Sequence, residues 1–402
     1  MQTTVSRRRT ALSVSCTTHV VQDGLIATIY VLLPVLAEAL GFSYAQVGLL
    51  KGLKSVSQAV LEMCSGWLSE QIGELRLIVV GLALSGTGYI LLSAATSAPI
   101  IATFLLIIGT GTALHHAPSS SLIINNCPTK KRGSSLGLYN AAGDVGKLVF
   151  TGGFSLAAGA GLAWYEISFG YGVMAIVAAI AITAVSRPIR QQWNKEEAAE
   201  SNNGEQVAAA GWGILNWRSF GALLVVTCID TLVQTSVLVF MAFLLLAKGL
   251  PLSIATGGTV ILLAGGVFGK TGCGYLADRM GVRPAFTLIQ VLTALGLICV
   301  IIAPNWLALS LLLPLGAVAQ GSTSITYAFA ADLIHPRRMA RGYALLYASG
   351  TFAAAAGPVV LGLIADEFGI ETAIYTMALI TIFTVPPIFV LPTVPDQEAE
   401  LL

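Results

Sequence analysis

Two stretches of the chain carry the same pattern and set the expected fold. Residues 66–73 read Gly-Trp-Leu-Ser-Glu-Gln-Ile-Gly, and residues 274–281 read Gly-Tyr-Leu-Ala-Asp-Arg-Met-Gly. Each stretch follows a long apolar run and ends in glycine. Two further markers recur at nearly the same spacing, Asp23 as Asp230 and Arg132 as Arg341. The chain is therefore expected to consist of two similar halves that form a parallel repeat.

The composition indicates a membrane protein. Of the 402 residues, 55% are hydrophobic and only 10% are charged, and the mean hydropathy is +0.81. Soluble domains carry roughly 25% charged residues. These values exclude an ordinary soluble enzyme and a disordered protein. The net charge of +1 excludes the basic field of a nucleic-acid binder, so no nucleic-acid partner is expected.

Twelve segments are long and apolar enough to cross a bilayer, which takes about 20 residues. They cover roughly residues 12–39, 44–68, 75–95, 98–124, 134–158, 164–186, 220–246, 253–276, 284–303, 306–332, 343–365 and 371–392. We expect an all-α polytopic membrane protein with twelve transmembrane helices in two pseudo-symmetric six-helix bundles. The predicted units are a bundle over 1–186, a polar cytoplasmic linker over 187–219, a bundle over 220–393 and a cytoplasmic tail over 394–402.

Lysine and arginine concentrate on one side of the predicted spans. With the N-terminus in the cytoplasm, sixteen of the 21 basic residues lie in cytoplasmic segments, and only Lys248 lies in an outer loop. The positive-inside rule then places both termini in the cytoplasm. We therefore expect a plasma-membrane protein, which means the inner membrane in a Gram-negative cell. The six scattered cysteines predict neither a disulfide framework nor a zinc site.

The spans, the central loop and the doubled stretch together resemble a known family. The pattern Gly-x-Leu-Ser-Glu-x-x-Gly-x-x-Arg over 66–76 and its second copy over 274–283 resemble the loop signature of the major facilitator superfamily. Within it, His19-x-x-x-Asp23 and the stretch 116–120 resemble the fosmidomycin-resistance branch of efflux carriers. The resemblance implies a latch that holds the cytoplasmic side shut. Its predicted gating residues are Gly66, Glu70, Arg76, Gly274, Asp278, Arg279 and Arg283.

Ionisable residues inside the spans mark a candidate transport path. A charged side chain at mid-bilayer costs about 2.5–3.5 kcal/mol on insertion scales, so it usually faces a cavity or a partner. Asp23 lies near the middle of span 1, and His19 lies one helical turn away, so the two can titrate together. Asp230 lies at a similar depth in span 7. We predict that Asp23, His19 and Asp230 couple transport to protons, with hydrogen-bonded structural roles as the alternative.

Polar stripes on spans 2 and 5 predict the substrate site, because a polar helix face inside a membrane contacts water or protein. The predicted substrate-binding residues are Lys54, Lys51, Gln58, Asn140, Asp144, Lys147, His116, Gln320 and Tyr347. Lysines near the midplane favour an anionic or zwitterionic solute, although internal salt bridges are the alternative. Glu62 and Lys270 carry opposite charges at equivalent positions of the repeat. They predict a gating bridge between the bundles that breaks during transport.

The sequence therefore predicts a secondary active transporter that moves a small organic solute or drug by proton-coupled alternating access. Efflux by antiport is implied by the family resemblance. Two alternatives stay open, a proton-linked symporter or facilitator for an organic acid and a divalent-metal exporter that uses His19, Asp23 and His115 or His116. The sequence contains neither a Walker pattern nor a recognisable catalytic motif, so no enzyme is expected. We expect a monomer without a cofactor, whose partners are the solute, protons and lipid.

Overall fold

The computed structural model describes residues 2–127, 132–200, 212–335 and 339–391, and these ranges are almost entirely helical. The helices are α1 (Gln2–Leu40), α2 (Tyr44–Ile72), α3 (Glu74–Leu92), α4 (Ala98–Ala113), α5 (His116–Asn126), α6 (Arg132–Gly159), α7 (Trp164–Glu200), α8 (Trp217–Ala247), α9 (Leu252–Met280), α10 (Val282–Ile302), α11 (Asn305–Asp332), α12 (Met339–Phe368), α13 (Ile370–Ile382) and α14 (Val385–Ile388).

Ten spans within the described ranges are long and apolar enough to cross a membrane. α4 and α5 together make one of them, and α13 and α14 together make another. The two long helices that are not among the ten, α2 and α6, carry the polar stripes noted in the sequence. With these two included, the helices correspond to the twelve predicted segments, and the all-α polytopic fold is confirmed.

A helix continues across the predicted boundary between the first bundle and the linker. α7 continues through residue 186 to Glu200, so the first part of the predicted linker, 187–219, is helical. Glutamine, glutamate, lysine and alanine, which favour helix, recur in this part. Residues 201–211 and the predicted tail 394–402 lie outside the described residues. The boundaries of the units otherwise stay predictions.

The helices form two bundles, α1–α7 and α8–α14, which meet along two seams. α2 packs against α12 along one seam, and α6 packs against α9 along the other. We call the end of the bundles where α2 meets α3 and α9 meets α10 the linker end. The opposite end, where α1 meets α2 and α8 meets α9, is the far end. The positive-inside pattern predicts that the linker end faces the cytoplasm.

Close backbone contact shuts the α2–α12 seam at the far end. A Cβ atom on Gly48 would overlap the carbonyl oxygen of Pro358. A Cβ atom on Gly52 would lie 2.9 Å from the carbonyl oxygen of Ala355, closer than real Cβ atoms approach. Small residues allow membrane helices to pack at such short range. Glycine is therefore required at both positions while the far end is shut.

The linker-end halves of the seam helices are more open. A Cβ atom on Gly137 of α6 or on Gly272 of α9 would meet no atom within 4 Å among the described residues. Tyr275 of α9 is 57% exposed, and Tyr347 of α12 is 39% exposed. The bundles are therefore in closer contact at the far end than at the linker end.

A carboxylate also joins the bundles at the far end. The Asp366 carboxylate of α12 accepts hydrogen bonds from the backbone N–H groups of Tyr44 at 2.8 Å and Ala45 at 2.9 Å. These groups belong to the first turn of α2, where the helix dipole also favours a negative charge. Asp366 thus caps a helix of the opposite bundle.

Replacement of Asp366 by Ala should favour opening of the far end by about 1–2 kcal/mol, roughly 5- to 30-fold, because the cap is lost. Spin labels at the exposed positions Leu162 and Trp306 in a cysteine-free background report the far-end distance between the bundles. The population with a longer separation should grow. Glu367→Ala removes an adjacent exposed acid and is the matched control. Equal behaviour of the two variants would contradict the capping role.

Candidate functional site

A buried polar cluster surrounds His19 and Asp23 in the middle part of α1. His19 Nε2 lies 3.2 Å from Asp23 Oδ1, and His19 Nδ1 lies 2.8 Å from the carbonyl oxygen of Tyr139 on α6. The Tyr139 ring also stacks on the His19 ring, with 3.8 Å between centroids. A Cβ atom on Gly143 would lie 2.6 Å from His19 Cε1, so glycine at this position lets α6 approach the pair.

The hydrogen bonds of His19 constrain where protons reside. A carbonyl oxygen only accepts hydrogen bonds, so His19 Nδ1 must be the donor to Tyr139. A neutral ring would then direct the Nε2 lone pair at the Asp23 carboxylate oxygen, which is repulsive. A further proton, on either Nε2 or Oδ1, turns this contact into a hydrogen bond. The contact between His19 and Asp23 therefore requires one proton between the two side chains.

A row of alternating charges runs from Asp23 to the other bundle. Lys147 Nζ lies 3.1 Å from Asp23 Oδ2 and 3.0 Å from Asp144 Oδ1. Lys270 Nζ, from α9, lies 2.6 and 2.8 Å from the two oxygens of Asp144. Asp23, Lys147, Asp144 and Lys270 thus form a continuous row across the α6–α9 seam. The sequence prediction placed Asp144 and Lys147 correctly on one helix face but did not identify Lys270 as their partner.

The predicted bridge between Glu62 and Lys270 is not formed, because Lys270 binds Asp144. Glu62 Oε2 instead accepts a hydrogen bond from Thr351 Oγ1 of α12 at 3.3 Å. The reason is geometric, since α2 packs on α12 whereas α9 packs on α6, so the two positions face different seams. The α6–α9 seam is therefore joined by an ion pair, and the α2–α12 seam by a hydrogen bond from a hydroxyl to a carboxylate.

Two lysines of α2 are buried without an ion pair. Lys54 is 1% exposed and donates a hydrogen bond to Gln58 Oε1 at 2.5 Å. Lys51 is 4% exposed and donates to Ser55 Oγ at 2.7 Å. Within the described part of the chain, neither Nζ has a carboxylate oxygen within 4.0 Å. The α2 stripe therefore presents two buried lysines that no carboxylate of the described residues contacts.

His115 and His116, at the start of α5, differ in their contacts. His116 Nε2 lies 3.7 Å from Asp23 Oδ1, and His19, Asp23 and His116 offer three ligand atoms within 4.8 Å of one another. Such a set suits a transition metal. Lys147, however, contacts the other oxygen of Asp23, and an ammonium group repels a cation. The Lys147 ammonium therefore disfavours a metal ion between these three ligand atoms. His115 lies outside this set and packs its ring 5.6 Å from that of His19.

Asp230 lies apart from this cluster. Its carboxylate accepts hydrogen bonds from Gln234 at 2.6 Å, Ser322 at 2.8 Å and Gln290 at 2.8 Å. All three donors are neutral and belong to the C-terminal bundle. The structure therefore does not bring Asp230 to His19 and Asp23, and the contacts of Asp230 are those of a carboxylate whose hydrogen bonds are satisfied.

The repeat explains this separation. The spacing that relates the two loop stretches pairs Asp230 with Gln22, not with Asp23. Gln22 makes matching contacts within the N-terminal bundle, because its Nε2 donates to Ser85 at 2.8 Å and to Thr112 at 3.3 Å. These partners lie on α3 and α4, the equivalents of α10 and α11. Gln22 and Asp230 are therefore corresponding packing residues inside the two bundles.

Of the remaining predicted substrate residues, two lie beside the charged row and the third lies on α12. Asn140 is exposed on α6, one turn from Asp144. Gln320 lines a small cavity with Asp144, Lys147 and Lys270. Tyr347 packs its ring 5.0 Å from that of Tyr327 on the open side of α12.

The predicted gating residues at the loops make local contacts in this structure. Arg283 Nε donates to the carbonyl oxygen of Leu391 at 2.9 Å, and the Arg279 guanidinium lies 4.7 Å from the centroid of the Tyr275 ring. Three more of these residues make no contact across a seam among the described residues. Asp278 is exposed, and Arg76 donates to the carbonyl oxygen of Ile72 at 3.5 Å. A Cβ atom on Gly274 would lie 3.8 Å from Ser324 Oγ. Positions 66 and 70 lie outside the side chains that the structure describes. The latch stays a prediction.

Comparison with known proteins agrees with this architecture. The Major Facilitator Superfamily matches residues 16–270 and 223–401. The uncharacterized MFS-type transporter YfnC of Bacillus subtilis is 23% identical over 94% of this chain and 91% of its own length. The class G tetracycline resistance protein of Vibrio anguillarum is 31% identical, but the match covers only 36% of either chain.

A solved structure shares the fold. It is that of a bacterial homolog of the human lysosomal transporter Spinster in an inward-facing, unoccupied conformation. The TM-score is 0.76 at 15% identity, over 95% of this chain and 96% of that one. Together with the helical architecture and the family match, this shows that the chain is an integral membrane protein and belongs to the major facilitator superfamily of transporters.

Proposed function

We propose that this chain is a secondary active transporter that moves a small organic solute with an anionic or zwitterionic group, by alternating access coupled to protons. The single observation that carries the proposal is the set of four lysines on the helices that meet at the two seams. Lys51 and Lys54 are buried without a contacting carboxylate, and Lys147 and Lys270 are more accessible. A lysine inside a membrane protein carries its charge at least cost when an anion contacts it, and an anionic solute can supply that contact.

Proton coupling is assigned to the His19–Asp23 pair. A proton held there changes the charge that Lys147 contacts, and Lys147 in turn contacts Asp144 and, through it, the other bundle. Protonation can thereby bias the seam on which the bundles move. Transport by rocking of two bundles around a central site is the general behaviour expected of such repeats.

Export by antiport is the direction we propose. It is supported by the partial similarity to a tetracycline resistance protein and by the likeness of His19, Asp23 and the stretch 116–120 to the fosmidomycin-resistance branch. The proposal places the linker end in the cytoplasm of a plasma membrane, with the protein acting as a monomer. The same lysines serve a symporter that imports an organic acid, so the direction of proton flux decides between them.

A binding screen tests the proposed solute class. We expect purified protein in detergent to be stabilised by organic carboxylates or phosphonates but not by their neutral amides or esters. A ligand at 100 times its Kd adds about 2.7 kcal/mol to the free energy of unfolding, which a thermal-shift measurement detects. Lys54→Gln should weaken this stabilisation. Stabilisation by divalent metal ions alone, lost in His19→Ala, would instead support the metal-export alternative.

Proteoliposomes with an internal pH dye resolve the direction. For an antiporter, a solute gradient should drive protons the opposite way, and for a symporter it should drive them the same way. Movement of the solute without any change in the dye signal would contradict proton coupling.

A further inference from the structure

The Asp144 carboxylate occupies a site built from both bundles. Its Oδ1 lies 3.0 Å from Lys147 Nζ of α6 and 2.6 Å from Lys270 Nζ of α9, and its Oδ2 lies 2.8 Å from Lys270 Nζ. Hydrogen bonds from ammonium groups to a carboxylate are charge-assisted, and proteins bind carboxylate and phosphate ions through the same kind of contact. The site is therefore shaped for an anion, and one of the protein's own side chains occupies it.

This site is accessible, unlike the lysines of α2. The Lys147 side chain is 28% exposed and that of Lys270 is 34% exposed. Both border a small cavity that Gln320 also lines, and the Gln320 side chain can supply further hydrogen bonds. Lys51 and Lys54, by contrast, are at most 4% exposed. A solute that enters from the open side can therefore reach the exposed parts of Lys147 and Lys270, and Asp144 is the group that it has to displace.

We propose that the anionic group of the transported solute binds between Lys147 and Lys270, in the place that Asp144 fills when no solute is bound. The ligand class is an organic carboxylate or phosphonate with two oxygens available to the two ammonium groups. This inference rests on the proposed function and assigns its substrate-binding residues. Asp144 is then an internal competitor of the solute.

The exchange has a mechanical consequence. Lys147 and Lys270 come from different bundles, so whichever anion lies between them connects the two across the α6–α9 seam. Two ammonium groups left facing each other inside a membrane would repel, so the site favours an occupant at all times. When a solute displaces Asp144, the freed carboxylate loses both cations and is left to turn toward water or to bind a proton. Solute binding and protonation are thereby linked at this seam.

Chemical rescue with acetate tests the site directly. Acetate carries the same group as the Asp144 side chain, and Asp144→Ala removes the internal competitor. We expect acetate to raise the melting temperature of purified Asp144→Ala with an apparent affinity at least tenfold tighter than in the unsubstituted protein. Chloride at equal ionic strength should not reproduce the effect. In Asp144→Ala combined with Lys270→Gln, the acetate effect should be lost.

Equal responses to acetate in Asp144→Ala and in the double variant would overturn the proposal. If Asp144→Ala is not recovered as folded protein, Asp144→Asn retains the shape of the side chain without its charge, and the same comparison applies. Acetate binding through Lys270 without transport of any organic anion would refute the proposed function and leave the anion site intact. Transport of an organic anion that is unchanged in Lys270→Gln would refute the site and leave the function intact.

Discussion

Replacement of Asp23 by Asn should lower the solute flux driven by a proton gradient by about 100-fold or more, while solute exchange without a gradient persists. Asp23 connects the proton to the rest of the site, because one oxygen contacts His19 and the other contacts Lys147. Asparagine is nearly the same size but cannot bind a proton or offer a negative charge. Lys147 then keeps only Asp144 as its partner, and this contact no longer depends on protonation.

The measurement is solute flux in proteoliposomes, with an imposed pH difference and then with solute exchange at equal pH. The loss should appear only in the first assay, because the anion-binding lysines are retained. His19→Gln should also impair coupling, since glutamine cannot carry the proton that the contact with Asp23 requires. Gradient-driven transport that survives in Asp23→Asn would contradict the assignment of the pair.

The matched control is Asp230→Asn. The Asp230 carboxylate accepts three hydrogen bonds from neutral donors within its own bundle. Asparagine replaces one carboxylate oxygen by an NH2 group, so at least one of the three donors loses its acceptor. This loss should cost about 1–3 kcal/mol of folding stability. We therefore expect a lower melting temperature with intact coupling. Loss of coupling without loss of stability would show that Asp230 carries the proton role first predicted for it.

The contrast between Asp23 and Asp230 shows what the sequence can predict. The pair His19 and Asp23, four residues apart, and the pair Asp144 and Lys147, three apart, were predictable because such residues share a helix face. The register of the repeat was not determined to within one residue, because its three markers give spacings of 207, 208 and 209. A shift of one residue along a helix turns the side chain by about 100° around the helix axis. This rotation decides whether an aspartate faces the seam or the interior of its own bundle.

Contacts between the bundles were also beyond the sequence. The charges of Glu62 and Lys270 were visible, but only the packing of α2 on α12 and of α9 on α6 shows which partner each one reaches. Asp366 reads as an ordinary polar residue at the end of an apolar span, and its role appears only when α2 is placed beside it. Gly48 and Gly52 carry no chemical signal that separates them from the other glycines.

Replacement of Gly48 by Ala should prevent the far end from closing. The added Cβ would overlap the carbonyl oxygen of Pro358, a backbone atom that cannot rotate away as a side chain can. Overpacking costs about 1–3 kcal/mol, and a clash with a backbone atom should cost close to the upper value. That free energy corresponds to a shift of roughly 100-fold toward the far-end-open state. Alanine also favours helix over glycine by about 0.5–1 kcal/mol, so α2 itself should not be weakened.

The separation of spin labels at Leu162 and Trp306 again reports the far end, and the longer separation should become the main population. Gly257→Ala is the matched control, because a Cβ atom on this glycine of α9 would meet no atom within 4 Å among the described residues. It should leave the distances unchanged. Because transport requires both states, Gly48→Ala should also reduce solute flux while binding from the linker end persists. A distance distribution identical to that of Gly257→Ala would mean that the α2–α12 contact does not control closure.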